Sequence, residues 1–490
     1  MKPDNANIGF PNSSMFLKNL YALFLCMLAP ALFYKPLFQN DTYWLINTGR
    51  YILQHGFPAF EPFTMHQDLH FIVQQWLSTI IFYKGYETAG NLGVHAIVVL
   101  CSLLVIFSSY RLALQMSNGK TLIAGYATAF IAVSLSFFMV PRPQAFSLFL
   151  FILEINLLEL CIRSEKHSAR VVSGLATISF FLINLHAAMW PFFFVLYLPY
   201  LIDSFRFRLG FLQGQGYSKI PLFAGFAIAF AAGLINPYGI RAMTYLFNSY
   251  GNSDINIYVI EMMSPNFKEP FGIFAFIVIL SITLIYIVRT GTTRLRYALI
   301  TIGTLYMSLT SIRSFSLFLV FSIIFICYYL KDLPTTSSIT IRRRTIIVLI
   351  AGILFVPYRF SLLSKQQSLQ TNFEPKGAVD YLKSSVDLHS LRLYNGYNTG
   401  GYLEFSGIKT FIDSRAEIFT KRINKKADIF TDYCNVMSGR LYYSDFISKY
   451  SFTHLLVDKG RLLDNCLAND KYYIKAYSDE YFVLYKRAFR

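Results

Sequence analysis

Long apolar runs alternate with short polar segments over most of the chain, and this pattern predicts a bundle of membrane-spanning helices. Many of the runs approach the roughly 20 residues that a helix needs to cross a bilayer. About eleven runs qualify, and we expect spans at residues 16–37, 92–112, 121–140, 144–162, 171–185, 189–202, 220–235, 271–288, 295–311, 315–330 and 345–358.

From about residue 363 the long runs give way to short alternating ones, which predict a small α/β domain. We expect helices and strands, the last two strands forming a hairpin, at 375–384, 391–394, 409–412, 445–450, 454–457, 472–477 and 482–486. The predicted fold is therefore a polytopic α-helical membrane domain (1–362), with a long first outer loop (38–91), followed by an α/β domain (363–490).

Two amphipathic helices are predicted inside the first outer loop. Asn40 or Asp41 can cap the first helix, which runs until Gly56 and Pro58 stop it. The second covers residues 71–86. Apolar residues on one face of the first helix indicate that it lies along the membrane surface.

Charge supports a membrane protein and indicates its orientation. Only 14% of the residues are charged, whereas a soluble domain has about 25%. Nucleic-acid binding is one explanation of the net charge of +17, but the basic residues cluster in every second loop, as in cytoplasmic loops. They are Arg111, Lys120, Arg163, Lys166, Arg170, Arg206, Arg208, Lys219, Arg289, Arg294, Arg296, Lys331, Arg342, Arg343 and Arg344. We therefore expect no nucleic-acid partner, but an integral protein of a bacterial inner or plasma membrane with a cytoplasmic N-terminus and an exoplasmic C-terminal domain.

Four of the six cysteines lie in or beside apolar runs, where a thiol behaves as a small hydrophobe. The other two, Cys434 and Cys466, lie in the predicted exoplasmic domain. In an oxidising compartment they can pair, and the sequence leaves that question open.

Asp41 follows the first predicted span and is the first catalytic candidate. A carboxylate at the membrane surface can act as a general base on an acceptor hydroxyl, or bind a divalent metal ion that bridges a lipid phosphate. It also suits a helix N-cap, so both interpretations stay open. Glu61 is a second catalytic candidate in the same loop, although a solvated loop charge is the simpler interpretation.

Several polar residues stand at outer ends of the predicted spans and are candidates for holding a donor phosphate: Arg142, Gln144, His186, Asn236 and Arg313. Guanidinium groups bind phosphate in bidentate fashion, but an arginine at a span end can also reach lipid headgroups. Pro141 and Pro143 fix the backbone around Arg142, which favours a site. His186 also fits a hydrogen-bonded structural residue, and Asn236 fits a turn cap.

Glu261 is a third outer carboxylate, and Asp413 with Arg415 is the most conspicuous polar pair of the C-terminal domain. These residues can contact an acceptor, but a structural salt bridge is the simpler interpretation of the pair. The sequence has no P-loop, no Gly-rich dinucleotide fingerprint and no Cys or His metal cluster. Because the polar sites face a compartment without nucleotide sugars, a sugar donor would have to be lipid-linked.

At these residues the chain resembles the GT-C class of integral-membrane glycosyltransferases, particularly bacterial relatives of the protein mannosyltransferases. The resemblance is carried, in order, by Asp41-Thr42-Tyr43-Trp44, Gly49-Arg50, Glu61-Pro62-Phe63-Thr64, Gln75-Trp76-Leu77-Ser78, Arg142-Pro143-Gln144, Asn184-Leu185-His186, Asn236-Pro237-Tyr238-Gly239, Glu261, Ser311-Ile312-Arg313 and Phe411-Ile412-Asp413-Ser414-Arg415. Asn40 and Thr42 flank Asp41 where many members have paired acidic residues, and the tryptophan, aspartate and tyrosine signature of oligosaccharyltransferases is absent.

The resemblance implies transfer of one hexosyl or pentosyl group from a polyprenyl-phosphate donor to an extracytoplasmic glycan, lipid or protein. It implies Asp41 as the base, and Glu61 would assist it or hold the acceptor. Membrane lipids are the other expected partners, and a divalent metal ion at Asp41 stays open. A transporter or flippase of lipid-linked saccharides is the main alternative, for which the acidic residues Glu154 and Glu159 within a predicted span are the evidence. A non-catalytic scaffold of glycan assembly is the third hypothesis.

Overall fold

The computed structural model describes residues 32, 38–163, 168–209, 212–249, 253–288, 293–332 and 374–488. Two predicted spans, 16–37 and 345–358, lie outside these residues, apart from Leu32. Lys166, Arg289 and residues 342–344, which helped to indicate the cytoplasmic loops, also lie outside them.

Helices dominate the membrane part. They are α1 (Asn40–His55), α2 (Trp76–Met116), α3 (Thr121–Leu135), α4 (Gln144–Arg163), α5 (Ser168–His186), α6 (Trp190–Asp203), α7 (Ile220–Ala232), α8 (Ile240–Met243), α9 (Tyr245–Ser249), α10 (Ser253–Tyr258), α11 (Pro270–Val288), α12 (Leu295–Thr310) and α13 (Phe315–Leu330). Three short strands, β1 (Arg208–Leu209), β2 (Leu212–Gln213) and β3 (Thr293–Arg294), form a small sheet between the helices.

Five segments of the described residues are long and apolar enough to cross a membrane: Trp76–Met116, Gln144–Arg163, Ser168–Asp203, Pro270–Val288 and Ile312–Leu330. Helices α3 and α7 are equally apolar but shorter. This composition indicates an integral membrane protein. The total of about eleven spans stays a prediction.

Helix α1 begins where the sequence predicts it, but Asp41 does not cap it. Gln39 holds the N-cap position, and Asp41 lies inside the first turn with its side chain free for another partner. Gly56 ends the helix with a φ of 80°. Helix α1 packs closely on α2, because a Cβ atom on Gly49 would lie only 2.1 Å from the carbonyl oxygen of Thr79.

Helix α2 contains a break that separates the predicted surface helix from the predicted span. Ala89 and Gly90 leave helical geometry, and Gly90 has a φ of 58°. The helix begins at Trp76 rather than near residue 71, because Phe71 and Val73 are buried in another hydrophobic cluster, which includes residues of the C-terminal region.

The ends of three helices meet at an arginine. Arg296, at the start of α12, places Nε 2.9 Å from Oε1 of Glu159 and Nη1 2.7 Å from Oδ2 of Asp203. Glu159 lies near the end of α4, and Asp203 is the last residue of α6. The sequence assigns all three of these ends to the cytoplasm.

The C-terminal region is the α/β unit that the sequence predicts. Strands β4 (Leu393–Tyr394), β5 (His454–Asp458), β6 (Tyr473–Ser478) and β7 (Phe482–Arg487) form one sheet in the order β4-β5-β7-β6. Only β4 and β5 are parallel, and β6 and β7 form the expected antiparallel pair. The helices are α14 (Lys376–Ser385), α15 (Gly400–Phe405), α16 (Lys421–Asn424), α17 (Ile429–Met437), α18 (Tyr443–Tyr450) and α19 (Leu462–Ala468). Cys434 and Cys466 are both free thiols.

The predicted strand at 409–412 is wrong. The Thr410 N–H donates to the carbonyl of Phe63, and the Met65 N–H donates to the carbonyl of Thr410, which makes a single bridge with the first outer loop. Met65, Leu69, Phe71 and Val73 of that loop belong to the same buried cluster as Phe411 and Phe446. The first outer loop therefore completes the core of the C-terminal unit.

Candidate functional site

Asp41, Arg142 and Glu261 come together although they are far apart in sequence. Arg142 Nε lies 2.8 Å from Oδ2 of Asp41, and Arg142 Nη1 lies 2.5 and 2.6 Å from the two carboxylate oxygens of Glu261. Trp44 Nε1 donates to Oδ1 of Asp41 at 3.3 Å. The three side chains, named here the Arg142 cluster, stay open, with exposed fractions of 20% for Asp41, 15% for Arg142 and 43% for Glu261.

Local structure holds each member of the Arg142 cluster. The first turn of α1 carries Asp41, and the turn between α3 and α4, bounded by two prolines, carries Arg142. Glu261 lies in the 3₁₀ turn Ile260–Met262, and its carbonyl accepts a hydrogen bond from Ser311 Oγ at 3.0 Å. The cluster therefore links α1, α4 and the segments before α11 and α13.

Electrostatics keep Glu261 and Arg142 charged. Burial alone would raise the pKa of Glu261, but the positive charges of Arg142 and Arg313 outweigh it and hold that pKa below its ordinary value. Burial would lower the pKa of Arg142, but Asp41 and Glu261 raise it instead. The cluster is therefore a set of partly exposed ion pairs.

A cavity of about 130 Å³ adjoins the Arg142 cluster. Gln144, two residues after Arg142, and Met262, next to Glu261, both line it. Its other polar walls include Gln74, Ser147, His186, Tyr245, Arg313 and Glu417. Its apolar walls include Leu148, Phe151, Phe192 and Leu317. We call this space the donor cavity, since a charged head and an apolar tail would both find partners in it.

Three of the predicted donor-binding residues meet in the donor cavity. His186 is buried, and its Nδ1 lies 2.8 Å from Ser147 Oγ. It is thus a hydrogen-bonded structural residue, and its ring also lines the cavity wall. Gln144 Nε2 donates to Ser316 Oγ at 3.2 Å. Arg313 is the cation of the cavity and makes no salt bridge with any residue that the structure describes. Glu417 in the same wall and Glu261 both lie within its electrostatic reach.

Asn236 does not join the other donor-binding candidates, and its amide is used within a turn. Nδ2 donates to the carbonyls of Gly233 and Gly239 at 2.7 and 3.1 Å, and Oδ1 accepts the N–H of Tyr238 at 2.8 Å. The side-chain contacts of Asn236 are therefore those of a turn cap.

Glu61, Asp413 and Arg415 form a second group, named here the Arg415 cluster, together with Glu404. Arg415 Nη2 lies 3.0 Å from Oε1 of Glu61, 3.2 Å from Oε1 of Glu404 and 2.5 Å from Oδ2 of Asp413. Glu61 Oε2 also accepts the N–H groups of Phe63 and Thr64, each at 2.8 Å. All three carboxylate side chains are fully buried, and Arg415 is 3% exposed.

The Arg415 cluster joins the first outer loop to the C-terminal unit. The predicted salt bridge between Asp413 and Arg415 is present, but Glu61 takes part in it as well. Burial and the neighbouring Asp413 raise the pKa of Glu404 well above its ordinary value, although Arg415 opposes them. Burial would raise the pKa of Asp413, but Arg415 holds it below its ordinary value.

Two residues of the site were not predicted from the sequence. Glu417 lines the donor cavity and accepts a hydrogen bond from Tyr245 at 3.1 Å, and burial raises the pKa of its carboxyl. Tyr397 interacts electrostatically with Asp41 and Arg142, and its carbonyl accepts a hydrogen bond from Asn40. No sequence motif marks either residue.

No group of three or more His, Cys, Asp or Glu side chains that could hold a metal ion occurs among the described residues. In the Arg142 cluster, Asp41 and Glu261 are both paired with a guanidinium group. A divalent ion at Asp41 would lie beside that positive charge, so this arrangement does not fit the metal ion that the sequence leaves open at Asp41.

Comparison with known proteins gives similarity in structure alone. No family model matches the sequence, and no curated protein matches it. The oligosaccharyltransferase of Archaeoglobus fulgidus tethered to an acceptor peptide superposes with a TM-score of 0.56 at 11% identity, covering 91% of this chain and 69% of that chain. The same archaeal enzyme, AglB, with an inhibitory peptide and a dolichol-phosphate gives 0.55 at 10% identity, with the same coverage.

ArnT from Cupriavidus metallidurans, bound to undecaprenyl phosphate, matches over nearly its whole length. The TM-score is 0.53 at 11% identity, covering 96% of this chain and 98% of ArnT. AglB and ArnT are both GT-C glycosyltransferases. With five apolar helices of spanning length and an architecture shared with both neighbours, this chain has the fold of the GT-C-type membrane glycosyltransferases.

Proposed function

We propose that this protein transfers one sugar from a polyprenyl-phosphate donor to a hydroxyl group of an extracytoplasmic glycan, lipid or protein. The observation that carries the proposal is the partly exposed Asp41, held by Arg142 beside a cavity with an arginine and an apolar wall. Two structural neighbours of the same fold hold dolichol-phosphate and undecaprenyl phosphate, which supports a lipid phosphate as the carrier.

The proposed reaction inverts the anomeric carbon. The acceptor hydroxyl oxygen attacks that carbon while Asp41 takes the hydroxyl proton. The bond between the anomeric carbon and the phosphate oxygen breaks, and its electron pair leaves with the lipid phosphate. Arg313 binds the phosphate, with Gln144 and His186 in the same cavity, and Arg142 positions Asp41 and lies near the developing charge.

Glu61 and Asn236 receive structural roles in this proposal. The Glu61 carboxylate is enclosed by Arg415 and two backbone N–H groups, so it has no face for an acceptor hydroxyl. Asn236 is fully used by its turn. Glu261, which is more exposed than Asp41, serves in this proposal as the second partner of Arg142.

We propose the orientation that the charges indicate. The Arg296 end of the bundle faces the cytoplasm, while the Arg142 cluster and the C-terminal unit face outward in a bacterial inner or plasma membrane. Cysteines introduced at Asp68 and Lys120 would then be labelled from opposite sides of sealed vesicles. Labelling from the same side would contradict the orientation.

The deciding experiment is sugar transfer by the purified protein from a panel of radiolabelled polyprenyl-phosphate sugars. Asp41→Asn should reduce transfer by a factor of about 10² to 10⁴, because the general base is lost while the fold remains. Asp68→Asn is the matched control: it makes the same chemical change at an exposed position of the same loop, where the φ of 53° suits asparagine.

Each outcome assigns a function. Loss of transfer in Asp41→Asn alone supports the enzyme and its base together. Equal transfer by both variants moves the base to Glu417 or Glu261. Absence of transfer from every donor favours the transporter hypothesis. The observation that supports this hypothesis is Glu154, which is fully buried in α4 and whose oxygens have no hydrogen-bond partner among the described residues.

A further inference from the structure

The donor cavity has one acidic and one arginine side chain among the described residues that line it. Arg313 lies in the 3₁₀ turn before α13, and Glu417 lies in the 3₁₀ turn Ala416–Phe419 of the C-terminal unit. Burial raises the pKa of the Glu417 carboxyl and the positive charge of Arg313 opposes this, although the two side chains form no salt bridge. Both therefore face the same space as separate groups.

Local structure holds the Glu417 carboxyl group in place. The hydroxyl of the buried Tyr245 donates to its Oε1 at 3.1 Å. The turn that carries Glu417 begins directly after Arg415 of the Arg415 cluster, and the Thr420 hydroxyl donates to the Glu417 carbonyl at 2.7 Å. Tyr245 is the one side-chain donor to this carboxyl among the described residues. Because a carboxylate has about four acceptor positions, Glu417 can still accept hydrogen bonds from a ligand.

Glu417 lies near the proposed base as well as the proposed phosphate site. The Tyr397 hydroxyl donates to the Ser414 carbonyl at 2.7 Å, and Tyr397 interacts electrostatically with both Asp41 and Glu417. In the proposed reaction the transferred sugar lies between the lipid phosphate, held by Arg313, and the acceptor hydroxyl, which gives its proton to Asp41. A carboxylate that interacts with both regions is therefore suited to contact the sugar.

Charge decides which part of a donor Glu417 can contact. A carboxylate repels the lipid phosphate, whereas the Arg313 guanidinium attracts it. Sugar hydroxyl groups are uncharged donors, and the bonds that they give to a carboxylate are stronger than bonds between neutral groups. A uronic acid would bring a second carboxylate to Glu417, and the juxtaposition of like charges disfavours binding. An uncharged sugar therefore matches the cavity better than a uronic acid does.

We infer that Glu417 accepts hydrogen bonds from hydroxyl groups of the transferred sugar, so that the enzyme prefers an uncharged donor sugar to a uronic acid. This inference rests on the proposed function, which places a lipid-linked donor in the donor cavity. It names the chemical class of the donor sugar and makes Glu417 a specificity-determining residue.

Binding of three synthetic lipids tests the inference without needing transfer. The full-length protein in phosphatidylcholine nanodiscs is titrated at pH 8 with farnesyl phosphate, farnesyl phosphoglucose and farnesyl phosphoglucuronic acid in a calorimeter, and empty nanodiscs correct for partitioning into the bilayer. The wild type should bind the glucose lipid more tightly than the glucuronic acid lipid. Glu417→Gln should reduce this preference at least about tenfold, because the charge-assisted bonds to glucose and the repulsion of glucuronic acid are both lost. Its affinity for farnesyl phosphate should not fall.

Three further variants make the result specific. Glu480→Gln makes the same change at an exposed position of the C-terminal unit and should bind like the wild type. Glu417→Asp keeps the charge and should keep a preference for the glucose lipid, which excludes a folding defect as the cause. Asp41→Asn should keep the wild-type preference even though transfer is lost, so failure of the inference and failure of the proposed function are told apart.

Four results would overturn the inference. The wild type would bind both sugar lipids equally, or Glu417→Gln would keep the wild-type preference. Glu417→Asp would lose the preference together with Glu417→Gln, which would indicate a packing effect. Alternatively, Glu417→Gln would abolish transfer while it binds both sugar lipids like the wild type, which would make Glu417 the base.

Discussion

The Arg142 cluster and the Arg415 cluster contain the same chemical groups, one arginine with two or three carboxylates, yet they differ in enclosure. The Arg415 cluster is closed, with carboxylate side chains that have no exposed surface. The Arg142 cluster is open and adjoins a cavity. Sequence does not reveal this difference, because Asp41 and Glu261 lie far along the chain from Arg142, and Glu61 lies far along the chain from Arg415.

Trp44 connects the two clusters and shows how one supports the other. Its indole N–H reaches Asp41, while the guanidinium carbon of Arg415 lies 5.3 Å from the centre of its ring. Gly401 of the C-terminal unit contacts the start of α1 so closely that a Cβ atom there would lie 2.3 Å from the Asn40 carbonyl oxygen. The Arg415 cluster and the C-terminal unit therefore help to position the first turn of α1, which carries Asp41 of the Arg142 cluster.

The largest difference should appear when Arg415 is removed. In Arg415→Met, the three buried carboxylates lose the arginine that pairs with each of them, which costs about 3 to 5 kcal/mol of folding free energy for a broken buried ion pair. We expect a much lower melting temperature by tryptophan fluorescence of the purified protein. Arg440→Met, the same change at an exposed arginine of the same unit, is the control. An unchanged melting temperature in Arg415→Met would show that the closed cluster is not structural.

Acid should also destabilise the region of the Arg415 cluster more than the region of the Arg142 cluster, and the group responsible is His66. Burial lowers the pKa of His66 to about 4, and its Nε2 donates to the Phe411 carbonyl at 2.8 Å. In the unfolded chain the pKa is about 6.5, so between these values the unfolded state binds more protons and stability falls as the pH falls. The loss should reach about 2 kcal/mol at pH 5.

The matched variant for this test is His66→Gln, which keeps a side-chain N–H donor for the Phe411 carbonyl and cannot titrate. Melting temperatures are measured at pH 7 and pH 5. The wild type should lose more stability between these pH values than His66→Gln, since every other titrating group is shared. Equal losses would mean that His66 is protonated in the folded protein.

The elements that were predicted correctly are those marked by a pattern in their own segment of the sequence. The start of α1 and the hairpin of β6 and β7 follow from periodicity and turn residues. The strand at 409–412 was wrong because its hydrogen bonds go to Phe63 and Met65, nearly 350 residues earlier. Pairing over that distance leaves no local pattern.

The candidate site was predicted as a set of residues rather than as an arrangement. Asp41 and Arg142 were both identified, but their contact depends on how α1 packs beside α4, which no single segment reveals. Glu61 was grouped with Asp41 because the two share a loop, whereas the fold places it against Arg415. Glu417 was missed because nothing in its neighbourhood distinguishes a cavity-lining carboxylate from a solvated one.

The smallest predicted effect separates two roles of Arg142, positioning Asp41 or binding the donor. Arg142→Lys keeps the charge but cannot contact Asp41 and Glu261 through separate nitrogens, as Nε and Nη1 of arginine do. If Arg142 positions the base, kcat should fall about tenfold, equivalent to about 1.4 kcal/mol, with KM for the donor and the melting temperature unchanged. Arg163→Lys, at the other end of α4, is the control. A rise in KM with unchanged kcat would instead place the donor phosphate on Arg142. The main role of the Arg142 cluster would then be to bind the donor, and positioning of the base would be secondary.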